Sequence, residues 1–120
     1  RDIDKGEAEG DPRSFIARKV YCTRVAQYIG SYYVELGGCN AIVFTAGVGE
    51  NSISTRRVLI PMLQEALGIE YDPTELSKVE ICGGKGYKIS TENSKIDVFV
   101  IPTNEELMMC RDTYEIVKGK

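Results

Sequence analysis

The segment Ala41-Ile42-Val43-Phe44-Thr45 does most to limit what this chain can become. It is a continuous run of strand-forming residues, not an alternating one, and a continuous run predicts a parallel strand covered on both faces. It leads directly into Ala46-Gly47-Val48-Gly49-Glu50-Asn51-Ser52, a glycine-rich turn. A helix is expected next, with Ile53, Val58, Leu59, Met62, Leu63, Ala66 and Leu67 as its apolar residues and Gly68 as its stop. Pro61 lies inside that pattern and predicts a kink or a break into two helices, because proline lacks the N–H and crowds the preceding turn. A second buried strand reads as Ile96 to Ile101, ended by Pro102, with a helix carrying Leu107, Cys110, Tyr114 and Val117 after it. Strand, crossover helix and strand of similar character predict a right-handed α/β arrangement with a largely parallel sheet core flanked by helices.

The flanks are read from start and stop signals. Arg1 to Gly10 is a charged lead-in, and Asp11-Pro12 opens a helix with a capping carboxylate and a proline that wastes no N–H. Phe15, Cys22, Val25, Ala26, Ile29, Tyr33 and Leu36 then recur at helical spacing, with Arg18, Lys19, Arg24, Gln27 and Glu35 placed on the polar side. Gly37-Gly38 ends the helix. Tyr28, Tyr32 and Tyr33 suit either a stacking platform or a core or subunit-contact face. Between Ile69 and Asn93 the signals are weaker. A short helical or turn segment is expected from Asp72-Pro73, a turn at Cys82-Gly83-Gly84-Lys85-Gly86, and an edge strand at Tyr87-Lys88-Ile89.

Size and charge narrow the functional classes. A chain of 120 residues has room for one domain, expected to span 1–120. Its formal net charge of -3 argues against nucleic acid, whose phosphates would meet a field of the wrong sign. No apolar run approaches the roughly 20 residues that span a bilayer. Cys22, Cys39, Cys82 and Cys110 are widely spaced and there is no histidine, which argues against structural zinc. Each cysteine lies in or beside an apolar segment, as reduced core cysteines do, so a cytoplasmic location is expected.

Two places carry chemistry. A strand ending in Gly47-Val48-Gly49 and running into a helix aims backbone N–H groups at one spot that an anion can approach closely. Glu50 and Asn51 at the same turn are candidates to bond ribose hydroxyls or base edges. The plainer reading is that the glycines only make a tight turn. A dinucleotide fingerprint would need a third glycine or alanine where Ser52 stands. A Walker-type loop would need serine or threonine after Gly-Lys, but Gly84-Lys85 is followed by Gly86 and Gly119-Lys120 ends the sequence. The second place is Pro102-Thr103-Asn104-Glu105-Glu106-Leu107, where Thr103 and Glu106 have capping-box spacing. That leaves Glu105 either to complement the helix dipole, the reading composition favours, or to hold Mg²⁺ alongside phosphates.

Taken together, the two motifs resemble one family. Val43-Phe44-Thr45-Ala46-Gly47-Val48-Gly49-Glu50-Asn51-Ser52 resembles the nucleotide loop of the acetate kinase family, and Ile101-Pro102-Thr103-Asn104-Glu105-Glu106-Leu107 resembles its C-terminal motif. Arg1-Asp2-Ile3 and Tyr28-Ile29-Gly30-Ser31-Tyr32 are also similar to family segments. The resemblance covers nearly this whole chain but only the final portion of the longer family sequence. It implies a ribonuclease-H-like domain of the sugar kinase, heat-shock ATPase and actin superfamily, and a C-terminal nucleotide-binding part of an acetate kinase. It further implies ATP or ADP at Gly47, Val48, Gly49, Glu50 and Asn51, with Val48 standing where isoleucine is usual, and Mg²⁺ at Glu105. The implied reaction is reversible phosphoryl transfer from ATP to acetate, giving acetyl phosphate and ADP. The implied partners are an adenine nucleotide and a second copy in a homodimer. The family's catalytic arginines, aspartate and histidine lie in segments absent here, so this chain alone is expected to be inactive. A non-catalytic nucleotide-binding or dimerisation fragment and part of a propionate kinase share the same motifs and stay open.

Overall fold

The computed structural model describes residues 2–74, 76 and 86–118. Five helices and three strands stand among them: α1 (Asp2–Ala8), α2 (Pro12–Glu35), β1 (Ala41–Phe44), α3 (Ala46–Asn51), α4 (Ile53–Leu67), β2 (Tyr87–Lys88), β3 (Asp97–Val100) and α5 (Glu105–Lys118). Arg1, most of the turn expected at Cys82–Gly86, and Gly119-Lys120 lie outside the described residues.

The helix signals act where the sequence places them. The Asp11 carboxylate accepts from the N–H groups of Arg13 and Ser14 and caps α2. Gly68 takes a left-handed φ of 64° and ends α4. Pro61 does not break the helix, since α4 runs continuously from Ile53 to Leu67. Pro61 is exposed, as is Arg57, the residue whose carbonyl loses its usual donor, so water can satisfy that carbonyl. The break falls at Ser52 instead. There the Ser52 hydroxyl accepts from the Thr55 N–H and starts α4 as a new helix after α3. The charged lead-in is largely helical, as α1.

β3 is the central strand, parallel to β1 on one side and antiparallel to β2 on the other. The described sheet is therefore mixed, not largely parallel. Its register pairs Ile42 with Val98 and Phe44 with Val100, and this face meets the core. Leu59, Ile60, Leu63 and Leu67 of α4 fill that core at helical spacing, with Cys22 of α2 and with Ile69, Leu76, Ile89 and Ile96.

β1 is not covered on both faces. Val43 is 47% exposed and pairs with the half-buried Phe99 on the opposite face, which no described helix seals. α5 does not seal it, because none of its residues is buried. Phe15 and Leu36 of the expected α2 stripe, and Met62 of the α4 stripe, are also exposed. The Cα radius of gyration is 17.0 Å, against about 13.6 Å for a compact chain of this length. Of the described cysteines, only Cys22 sits in the core, and burial pushes its thiol pKa up. Cys110 is exposed, contrary to the core reading. No helix among the described residues is long and apolar enough to cross a membrane.

Candidate functional site

The ends of the two parallel strands bring the two sequence motifs together. The Ile101 N–H donates to the Phe44 carbonyl at 2.9 Å, continuing the ladder one step past β3. The Thr45 hydroxyl donates to the Ile101 carbonyl at 2.8 Å, so it does not cap α3. The chain then enters α3 through Ala46, whose φ of 57° lies in the left-handed region that L residues rarely adopt. Gly47 and Gly49 are thus placed in a single helical turn and a half, not in an irregular turn.

The two glycines serve different ends. A Cβ at Gly47 would meet nothing within 4 Å, so that position faces open space. A Cβ at Gly49 would come within 3.1 Å of the Phe44 carbonyl carbon, so Gly49 lets α3 press against the end of β1. Gly47 lines a cavity of about 360 Å³ with Ala46, Thr103, Asn104, Glu105 and Glu106. On the other side of the same loop, Gly47, Val48 and Asn51 line a second cavity of about 320 Å³ with Ile3, Asp4 and Tyr21, among others. A larger, more apolar cavity of about 630 Å³ lies between β1, α2 and α4 and includes Gly49.

The polar residues of the loop are not all turned toward these spaces. Glu50 Oε1 accepts from the Thr103 N–H at 2.7 Å and from the Thr103 hydroxyl at 2.9 Å. These bonds, the backbone one first, hold the Glu50 carboxyl below its usual pKa. Asn51 Nδ2 donates to the Gly47 carbonyl at 3.0 Å. The capping box is also displaced: Asn104, not Thr103, caps α5, its Oδ1 accepting from the Leu107 N–H at 3.0 Å. Thr103 is occupied by Glu50, so the helix starts one residue later and Glu106 is not drawn back to a Thr103 cap. Glu105 and Glu106 both stand exposed in the first turn of α5. Among the described residues no group of three or more His, Cys, Asp or Glu is placed to hold a metal without further ligands.

Two arginines that the sequence did not mark as interior are buried near the site, and one of them, Arg56, supports the loop. Arg56 is fully buried, and its Nη1 donates to the carbonyls of Gly49 at 2.5 Å and Glu50 at 2.8 Å. The available signal is its place three residues before Leu59 and four before Ile60, where a charged residue falls on an apolar stripe. Arg18, assigned above to the polar side of α2, is 6% exposed. It donates through Nε to Glu7, through Nη2 to Asp4 and through Nη1 to the Thr55 hydroxyl at 2.9 Å. These acceptors come from α1 and α4, which sequence periodicity within α2 cannot reveal. Bonding to Glu7, then to Asp4, raises the Arg18 pKa against the opposing effect of burial. Asp4 also accepts from the Ser54 hydroxyl at 2.6 Å, and this bond is the largest cause of its lowered pKa.

Comparison with known proteins agrees with this architecture. The acetokinase family profile matches residues 1–111. An acetate kinase of Treponema denticola is 48% identical over 118 residues, which is 98% of this chain and 28% of that protein. Crystal structures of Porphyromonas gingivalis acetate kinase and of a propionate kinase from Francisella tularensis superpose with TM-scores of 0.77 and 0.75, at 36% and 33% identity. They cover 96% and 90% of this chain, but this chain covers only 28% and 26% of theirs. The chain therefore spans little more than a quarter of the length of the relatives it matches. The profile match over nearly the whole sequence establishes that this chain belongs to the acetokinase family.

Proposed function

We propose that this chain is the C-terminal ATP- and Mg²⁺-binding portion of an acetate kinase, the enzyme that transfers a phosphoryl group from ATP to acetate. The observation that carries this reading is the cavity shared by Gly47 and Glu105, two positions 58 residues apart by their numbering that the folding of β1 beside β3 makes neighbours. In this reading the nucleotide phosphates occupy that space, because the absence of a side chain at Gly47 leaves the backbone there open to close approach, which a valine would obstruct. Val48 and Asn51 face the nucleoside across the loop, in the cavity that also contains Tyr21 and Ile3.

The donor set suits magnesium, which prefers one or two carboxylates together with phosphates and water over an all-protein cage. Glu105 would hold it, with Glu106 beside it, and the ion would supply charge neutralisation between phosphate oxygens. The chain's own contribution is positioning. Arg56 fixes the loop carbonyls from within the core, Thr45 ties the loop to Ile101, and Asn104 orients the first turn of α5. Phosphoryl transfer depends chiefly on such positioning and on charge stabilisation.

Calorimetry with ADP and Mg²⁺ tests the reading. The purified chain binds the nucleotide, Gly47→Val abolishes binding, and Glu105→Ala weakens it only when magnesium is present. Gly49→Val, though in the same motif, is a poorer probe because its side chain collides with the Phe44 backbone. No binding by a folded chain leaves an assembly role alone. For that role the exposed pair Tyr28 and Tyr32, with ring centroids 6.3 Å apart, offers a contact face for a homodimer. Incubation with ATP and acetate yields no acetyl phosphate from this chain by itself, and a positive hydroxamate assay would contradict that. The likeness to a propionate kinase leaves the choice between acetate and propionate to an acyl pocket outside the two motifs.

A further inference from the structure

We infer that Glu50 is a positioning residue: it latches the loop after β1 to the loop after β3 and thereby sets the distance between Gly47 and Glu105. This rests on the nucleotide reading of the Gly47 cavity. It departs from the sequence expectation that Glu50 itself meets the ribose or the base.

The geometry argues for a latch. One oxygen of Glu50 takes both the N–H and the hydroxyl of Thr103, at 2.7 and 2.9 Å. Thr103 lies two residues before Glu105, so this is the link nearest to the acid that faces the cavity. The other end of the latch is anchored, since Arg56 grips the Glu50 carbonyl from the buried face of α4. A continuous path therefore runs from the core through Arg56 and Glu50 to Thr103, and on to the start of α5. The path matters because α5 buries none of its residues, so packing does not fix where its first turn points. A carboxylate committed in this way keeps its charge and its acceptor role, as its lowered pKa indicates. Latch residues on the surface contribute little to global stability but decide how well a preformed site matches its ligand.

The test uses two probes, Mg·ADP and Mg·tripolyphosphate, the second having neither ribose nor base. If Glu50 is a latch, Glu50→Ala weakens both probes equally, by about five- to tenfold, the size of an ordinary net hydrogen bond. Glu50→Gln keeps the accepting oxygen and stays within about twofold of the parent chain, whereas Thr103→Val keeps only the N–H and falls between. The thermal midpoint stays nearly unchanged in all three. Weakening of Mg·ADP alone would place Glu50 on the ribose and overturn the proposal, as would no weakening of either probe. If the unsubstituted chain binds neither probe, the nucleotide reading fails, and the latch is judged by hydrogen exchange at the Thr103 amide. Faster exchange in Glu50→Ala but not in Glu50→Gln upholds it, and equal exchange in all three overturns it.

Discussion

At the level of single residues, the loop after β1 combines strain at one position with tight packing at another. Ala46 holds a left-handed φ of 57°, a conformation that costs an L residue about 1–2 kcal/mol. Ala46→Gly therefore raises the stability of the chain by up to ~1 kcal/mol, once the extra freedom of glycine in the unfolded state is subtracted. At Gly49 the sign reverses: an added Cβ presses on the Phe44 backbone at 3.1 Å, and Gly49→Ala costs about 1–3 kcal/mol. Urea unfolding of the two variants checks both. Charge at this scale makes a second prediction. Asp4 and Glu50 are held below their ordinary values of 3.8 and 4.5. A depressed carboxyl contributes stability that is present above its ordinary pKa and lost as pH falls through the folded one. Glu50, at the surface, adds little to global stability, so the unfolding midpoint should drop modestly, through Asp4, on acidification below about pH 3.8. Asp4→Asn should flatten that drop. The motif residues were legible as a group, but not their separate duties. Periodicity and spacing show that Gly47, Gly49 and Glu50 share a turn. They do not show that one glycine faces a cavity, the other a backbone, and that the glutamate faces Thr103.

Among the elements, α4 and α5 are opposites. Both read in the sequence as amphipathic helices following a strand, yet α4 supplies much of the core and α5 supplies none of it. Leu59→Ala, in a fully buried setting, should destabilise by about 2–5 kcal/mol, whereas Tyr114→Ala should stay within about 0.5 kcal/mol. Hydrogen exchange gives the same contrast without mutation. A helix of 14 residues lacking tertiary burial is marginal by itself, so the α5 amides exchange well before those of Leu59 to Leu67. The junction of α1, α2 and α4 depends on Arg18, whose guanidinium joins Glu7, Asp4 and Thr55. Arg18→Ala leaves the half-buried Glu7 and the buried Thr55 without that donor, and a loss of about 3 kcal/mol in chemical unfolding is expected. A much smaller loss would mean that water replaces the guanidinium.

Across the whole molecule, the features that look unfinished agree with one another. β1 carries an open face, α5 and the outer side of α2 leave apolar residues exposed, and the radius of gyration exceeds that of a compact chain. The relatives are more than three times as long as the part matched here, so their folds have further residues with which such surfaces can be covered. In the proposed homodimer, sedimentation detects a species of twice the chain mass, and Tyr28→Glu with Tyr32→Glu returns it to monomer. The sequence by itself determined the helix limits at Asp11 and Gly68, the strands at β1 and β3, and the family, because each depends on residues adjacent along the chain. Tertiary structure alone decided that Arg18 and Arg56 are interior, that α4 continues through Pro61, that Thr103 serves Glu50 instead of capping α5, and that β1 stays partly bare. Those outcomes depend on partners many positions away, and on whether a second layer is present to cover an apolar face. Local propensity carries no information about either.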